Sequence, residues 1–181
     1  MTLSKVILVT GPARSGKSEW AETLANQSSK KVVYVATALL SPNDRQWQQR
    51  IIVHRNRRPQ SWTTLEVPFE LSSTLASAKP NTVLLVDSLG TWVANHIEKD
   101  DLSWLDTVEE FLETVRLVAA EMIFVAEETG WGVVPAYPSG QTFRDRLGSL
   151  SRKLGVICQT TYLVTGGHVL NLSALGTRLP S

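Results

Sequence analysis

Five short apolar runs punctuate the chain: Val6–Thr10, Val32–Ala36, Val83–Val86, Ile123–Ala126 and Tyr162–Thr165. They are rich in β-branched residues and largely uninterrupted by polar ones, the pattern of strands buried on both faces of a parallel sheet. Between them the period changes to that of a helix. Lys17–Asn26 follows the first run. Ser41-Pro42-Asn43-Asp44 has the form of an N-cap with proline at the first helical position, opening a helix that Pro59 ends. From Ser103 to Ala120, Trp104, Leu105, Val108, Phe111, Leu112, Val115 and Val118 recur at helical spacing, with Asp106, Glu109, Glu110 and Glu113 opposite them. Gln141–Leu154 predicts a further amphipathic helix. Strands alternating with helices predict an α/β fold with a mainly parallel sheet flanked by helices. The 181 residues suit a single domain, 1–181. There is no repeat or low-complexity tract, and the longest irregular stretch, Glu128–Gly140, is a candidate active-site loop or lid.

Composition narrows the function. A hydrophobic content of 43% with 19% charged residues is that of a soluble globular protein. The one cysteine, Cys158, has no partner for an internal disulfide and no metal-ligand pattern around it, so a small buried hydrophobe in a reducing compartment is expected. The apolar run near the N-terminus is too short for a signal sequence or a membrane span, so the expectation is a cytoplasmic protein without membrane insertion. A net charge of +1 argues against a nucleic-acid binder. The basicity is local instead: Arg45, Arg50, Arg55, Arg57 and Arg58 crowd one short segment.

The sharpest chemical signal follows the first apolar run. Gly11-Pro12-Ala13-Arg14-Ser15-Gly16-Lys17-Ser18 satisfies GxxxxGK[ST] between a predicted strand and a predicted helix, the setting in which a phosphate-binding loop works. Its glycines let backbone N–H groups turn toward phosphate oxygens, and the helix adds its positive end. Lys17 is placed to reach the β- and γ-phosphates and Ser18 to ligate Mg²⁺. A second acidic partner comes from Thr82-Val-Leu-Leu-Val-Asp87, an apolar strand with a carboxylate at its C-terminal end. Asp87 either holds the metal or caps the helix that begins near Ser88. A nucleotide and a metal are thereby expected; the acceptor is not.

Arg50, His54 and Arg58 fall on one helical face, with Arg57 beside them. Neighbouring cations keep an imidazole neutral, able to attack phosphorus while the arginines hold the phosphates. The spacing equally describes a solvated basic face, and the residues alone leave both open.

The segments "ILVTGPARSGKSEWAE", "VVYVATA", "RIIVHRNRRPQSWTTLEVP", "VLLVDSLGTWVAN", "EETGWGVVP" and "FRDRLGSLSRKL" together resemble the bifunctional adenosylcobinamide kinase / adenosylcobinamide-phosphate guanylyltransferase family of cobalamin biosynthesis. The resemblance implies a P-loop NTPase-type, RecA-like fold and two reactions. In one, the γ-phosphate of ATP or GTP passes to the hydroxyl of adenosylcobinamide. In the other, His54 takes GMP from GTP and hands it to adenosylcobinamide phosphate, giving adenosylcobinamide-GDP. By the same match Thr37, Ala38, Arg55, Arg58 and Glu66 are nucleotide contacts, Glu66 toward guanine, and a homo-oligomer, a trimer, is implied.

The departures lie in three places. Where the family reads NEVGMG this chain has Glu127-Glu128-Thr129-Gly130-Trp131-Gly132, and Trp131 either packs on a corrinoid face or belongs to the core or an interface. After Phe143-Arg144-Asp145, Gly148-Ser149-Leu150-Ser151-Arg152 replaces the usual GR.NQ. Arg144 and Asp145 either shape the substrate site or pair along the helix. The C-terminal "GGHVLNLSALGTRLPS" differs from the usual ending; His168 there, and His96, are expected to be structural or surface residues. Two other classes remain compatible with the residues: a P-loop kinase that has lost the histidine chemistry, and a non-catalytic RecA-like nucleotide-binding module.

Overall fold

The computed structural model describes residues 5–39 and 58–180. Seven strands form one sheet: β1 (Val6–Gly11), β2 (Lys31–Ala36), β3 (Thr63–Glu66), β4 (Thr82–Asp87), β5 (Glu121–Glu127), β6 (Thr160–Thr165) and β7 (His168–Asn171). Their order across the sheet is β3-β2-β4-β5-β1-β6-β7. The first six of these are parallel, and β7 turns back against β6. The helices are α1 (Lys17–Asn26), α2 (Leu71–Ala76), α3 (Leu89–Asn95), α4 (Asp101–Leu117), α5 (Pro138–Ile157) and α6 (Leu172–Leu175).

Strand alternation divides the core in two. Ile7, Val9, Tyr34, Leu85, Ile123 and Val125 face α1, whose Ala21, Leu24 and Ala25 pack on them. Leu8, Val35, Val86 and Phe124 face the other way, beneath α2, α3, α4 and α5. Being covered on both sides is what makes these strands continuous apolar runs.

All five sequence-predicted strands are present. Two more, β3 and β7, are short, lie at the two edges of the sheet and carry mostly exposed side chains, so no apolar run marks them. The predicted Ser103–Ala120 helix starts two residues earlier and stops at Leu117, because Asp100 caps it: its Oδ1 accepts from the Ser103 N–H at 3.0 Å. The expected buried row holds at Trp104, Val108, Phe111, Leu112 and Val115, whereas Leu105 is exposed. The helix expected over Gln141–Leu154, α5, begins instead at Pro138, a residue preorganised for the first helical turn. The helix expected to open at Ser41 lies outside the described residues.

Two expectations about incidental residues hold. Cys158 is fully buried, and burial pushes its thiol up to about 12. His96 is buried among Phe69, Trp92 and Trp104, and desolvation lowers its pKa, so it is a neutral ring in an aromatic cluster. His168 is exposed on β7.

The fold also relies on an arginine that no motif singled out. Buried Arg146, on α5, donates to the His96 carbonyl at 3.1 Å and the Lys99 carbonyl at 2.7 Å, and pairs with Asp101 at 3.1 Å. It ties the end of α3 and the start of α4 to α5. Replacing it with leucine removes several charge-assisted donors at once and leaves carbonyls unpaired. We expect a loss of about 3 kcal/mol, read as a fall in denaturant midpoint. Lysine should rescue little of it, because a point charge cannot reproduce the fork.

Candidate active site

Between β1 and α1 the chain makes the loop that the sequence predicts. Arg14 (φ 59°) and Gly16 (φ 92°) are both left-handed. Alternation of left-handed and ordinary residues curls the backbone into an anion-binding concavity. The first N–H groups of α1 have no partner within the helix, so its positive end completes the concavity. Gly16 caps that helix without a side-chain hydrogen bond. Lys17 is only 8% exposed, and its ammonium crosses the loop to donate to the Pro12 carbonyl at 3.2 Å. It is thereby held at the loop instead of extending into solvent.

The first glycine is required by close approach. A Cβ at Gly11 would lie 2.3 Å from the Val164 carbonyl oxygen and 2.8 Å from Ser15 Oγ. Gly11→Ala therefore has to move backbone in β6 or in the loop itself. The expected cost is about 1–3 kcal/mol, together with a weaker nucleotide Kd, measured by thermal melting and equilibrium binding.

Asp87 ends β4, one strand away from β1, with β5 between them. In a parallel sheet these C-terminal ends share one edge, so the loop and the carboxylate meet there. Tyr34 donates its hydroxyl to Asp87 Oδ2 at 2.9 Å. Burial, followed by the charge of Asp87, pushes the Tyr34 pKa far up, so it remains a donor. Arg58 stacks over the Tyr34 ring at 3.5 Å and donates to Thr64 Oγ1 at 3.2 Å. A chain of contacts thus runs from the basic segment through Tyr34 to Asp87. The capping alternative for Asp87 does not describe this site. Ser88 is the cap of α3, accepting from the Thr91 N–H at 3.3 Å, with the Thr91 hydroxyl accepting in return from the Ser88 N–H.

The other nucleotide candidates divide. Thr37 is fully buried, and its hydroxyl donates to the Ser88 carbonyl at 2.7 Å. Asn95 Nδ2 takes up the Thr37 carbonyl at 2.8 Å, so Thr37 braces the end of β2 against α3. Ala38 follows it, half-buried. Glu66 ends β3 in register with Ala36 and is exposed at the same edge of the sheet. Pro12, Ala13, Ser15 and Ser18 lie in or beside the loop. His54 and Arg55 lie outside the described residues.

Two features of the site were not singled out from sequence. Tyr34 sits in an apolar strand and nothing local marks its hydroxyl. Glu127 ends β5, and "EMIFVAE" has the same apolar-run-then-acid form as "TVLLVD", a signal that could have been used. Glu128, beside it, accepts from the Thr10 hydroxyl at 2.6 Å.

A cavity of about 660 Å³ opens on the α5 side of β1 and β6. Thr10, Glu127 and Glu128 line its end nearest the phosphate loop; Trp131, Arg144 and Arg152 line it further out. Trp131 is 67% exposed, which excludes a core role for it. Arg144 lines the cavity and also pairs with its neighbour Asp145 at 2.9 Å.

The sheet order, the curled glycine loop with Lys17, and an acidic strand end one strand away define a P-loop nucleotide-binding protein of RecA-like architecture. Solved structures agree on the fold. A Pyrococcus horikoshii protein aligns with a TM-score of 0.59 at 8% identity, covering 100% of this chain and 94% of that one. A prototypical ATPase from the type III secretion system of pathogenic bacteria aligns with a TM-score of 0.56 at 12% identity, over 91% of this chain and 52% of that one.

Sequence comparison is more particular. Residues 7–172 match the family described as cobinamide kinase / cobinamide phosphate guanyltransferase, and the chain belongs to that family of bifunctional enzymes of cobalamin biosynthesis. It is 41% identical over 162 residues to the bifunctional adenosylcobalamin biosynthesis protein CobP of Pseudomonas aeruginosa, covering 88% of this chain and 92% of the relative. It is 34% identical over 177 residues to the bifunctional adenosylcobalamin biosynthesis protein CobU of Escherichia coli, covering 90% and 96%.

Proposed function

We propose that the chain carries out both reactions of its family, with the phosphate loop serving the kinase step and His54 the guanylyl transfer. The observation that carries this reading is the loop with Lys17, one strand from Asp87, in a chain matching the family over residues 7–172. In the kinase step Lys17 and the loop N–H groups hold the β- and γ-phosphates, so that positioning and charge neutralisation lower the barrier. Ser18 and Asp87 supply a hydroxyl and a carboxylate, the hard oxygen donors that Mg²⁺ takes beside phosphates and water. Among the described residues no cluster of three or more His, Cys, Asp or Glu could hold a metal ion. When bound, Mg²⁺ would offset charge on the β- and γ-phosphates.

In the transferase step His54 attacks the α-phosphorus of GTP and pyrophosphate leaves. The phosphate of adenosylcobinamide phosphate then displaces histidine from the GMP-histidine phosphoramidate. Arg58, and Arg55 outside the described residues, would face the triphosphate, and the exposed Glu66 carboxylate would accept from the N1–H and amino group of guanine. The cavity beside Thr10 and Trp131 would receive the corrinoid's alcohol arm, within the size range of small-molecule sites. Exposed Leu170, Leu172 and Leu175 along the β7 edge support assembly into an oligomer, a trimer on the family resemblance. No helix among the described residues is long and apolar enough to cross a membrane; the single cysteine, with no partner for an internal disulfide, supports a reducing, cytoplasmic compartment.

The test is incubation with GTP labelled at the α- or the γ-phosphate, with and without adenosylcobinamide. Without corrinoid the α-label should stay on protein as an acid-labile adduct; with it, the γ-label and then the α-label should move to the corrinoid. Absence of the adduct from protein that still phosphorylates corrinoid would reduce the function to the kinase. Nucleotide binding with no corrinoid chemistry would reduce it to a binding module.

A further inference from the structure

Glu127 is the last residue of β5, and β5 is the strand between the phosphate loop and Asp87. Its register neighbour on β1 is Gly11, where the loop begins, and Asp87 pairs with Val125 two residues before it. The side chain is partly buried as a whole, but its Oε2 is shut off from solvent and has no hydrogen-bond partner among the described residues. Burial raises the proton affinity of the carboxyl group, with the Asp87 charge adding to it, while a hydrogen bond from the Ser88 side chain and the Lys17 charge pull it back down.

Space is left for this oxygen. A Cβ at Gly90 would stand 2.0 Å from Glu127 Oε2, so glycine at the start of α3 lets the carboxylate occupy its position. The same residue lines the cavity at the end nearest the loop. A buried carboxylate oxygen without a hydrogen-bond partner is costly, and such groups are rare in folded proteins unless they have other work. Glu128 offers a contrast, since one of its oxygens is already occupied by Thr10.

We propose that Glu127 is the catalytic base of the phosphoryl-transfer step, accepting the proton of the acceptor alcohol. The inference rests on the kinase reading above and adds a residue to it. The hydroxyl oxygen forms a bond to the γ-phosphorus, and its proton passes to Glu127 Oε2. The bond from the γ-phosphorus to the β–γ bridging oxygen breaks, and the nucleoside diphosphate leaves with that electron pair. Glu127 returns the proton to water as product departs. Its place suits the role, because it borders both the cavity that would hold the alcohol and the loop that would hold the phosphate.

A positioned base contributes on the order of 10²- to 10⁴-fold, and Glu127→Gln keeps the shape while removing the proton acceptor. Its kcat for corrinoid phosphorylation should fall by that factor, with KM for nucleotide little changed and phosphorylation reduced far more than formation of the GMP-protein adduct. Gly90→Ala, which pushes the carboxylate aside without removing it, should lower the same kcat. If the glutamine variant does not accumulate in folded form, Glu127→Asp carries the comparison. A glutamine variant that phosphorylates at the wild-type rate would overturn the proposal. So would equal loss of phosphorylation and adduct, the mark of a merely structural role. Wild-type protein with no phosphorylation at all would instead remove the kinase reading on which the proposal stands.

Discussion

His54→Ala is expected to abolish transfer of GMP from GTP and to leave phosphorylation of adenosylcobinamide far less affected. The reasoning is chemical. A covalent relay has no alternative route once its nucleophile is a methyl group, and removing such a group from an enzyme costs on the order of 10⁴- to 10⁶-fold. Lys17 and the loop N–H groups, proposed above to hold the phosphates, are untouched by the change. The measurement is α-labelled GTP, with the adduct counted after alkaline denaturation and the corrinoid products separated in the same samples. An adduct of normal yield in the alanine protein would move the nucleophile elsewhere. Equal loss of both reactions would place His54 in general nucleotide binding.

Lys17→Ala is expected to give the second large effect, on the kinase step. The Lys17 ammonium is held across the loop at the Pro12 carbonyl, so it is present before any nucleotide arrives and needs little reorganisation to meet one. Removing one preorganised group of this kind at developing phosphate charge costs on the order of 10²- to 10³-fold in kcat, about 3–4 kcal/mol of transition-state stabilisation. Nucleotide affinity should weaken as well, because the lysine also serves the ground state. Lys17→Arg is not expected to restore the rate. The side chain is almost wholly buried at the loop, and a planar fork does not fit where a compact ammonium does. Steady-state kinetics of corrinoid phosphorylation, with the adduct assay alongside, decide it; an alanine variant with unchanged kcat would displace Lys17 from the mechanism.

Much of the site was legible in the linear sequence because its parts are local. The loop Gly11–Ser18 is contiguous, and its function depends on backbone curl and a helix start that neighbouring residues encode. Asp87 was legible because an acid at the end of an apolar run is a positional signal in parallel sheets. His54 drew its meaning from family resemblance, since spacing alone left a basic surface equally open. The three remaining pieces of the site are not local. Tyr34 reaches Asp87 across a strand pair 53 positions apart, and Thr37 is fixed by a carbonyl 51 positions away. Glu127 matters because of the strand order and the glycine at position 90.

The sequence by itself determined the class of fold, the five central strands, the phosphate loop and its acidic partner. Each rests on a pattern within a few residues: a buried strand must be apolar throughout, and a phosphate loop needs its glycines and lysine in order. The tertiary structure alone decided the order of the strands, because parallel strands buried on both faces look alike from within. It decided the edge strands, whose exposed side chains carry no periodic signal. It decided the clamp at Arg146, whose partners are carbonyls that every residue possesses. It also set β5 between β1 and β4, and so brought Glu127 to the junction of the phosphate loop, Asp87 and the cavity.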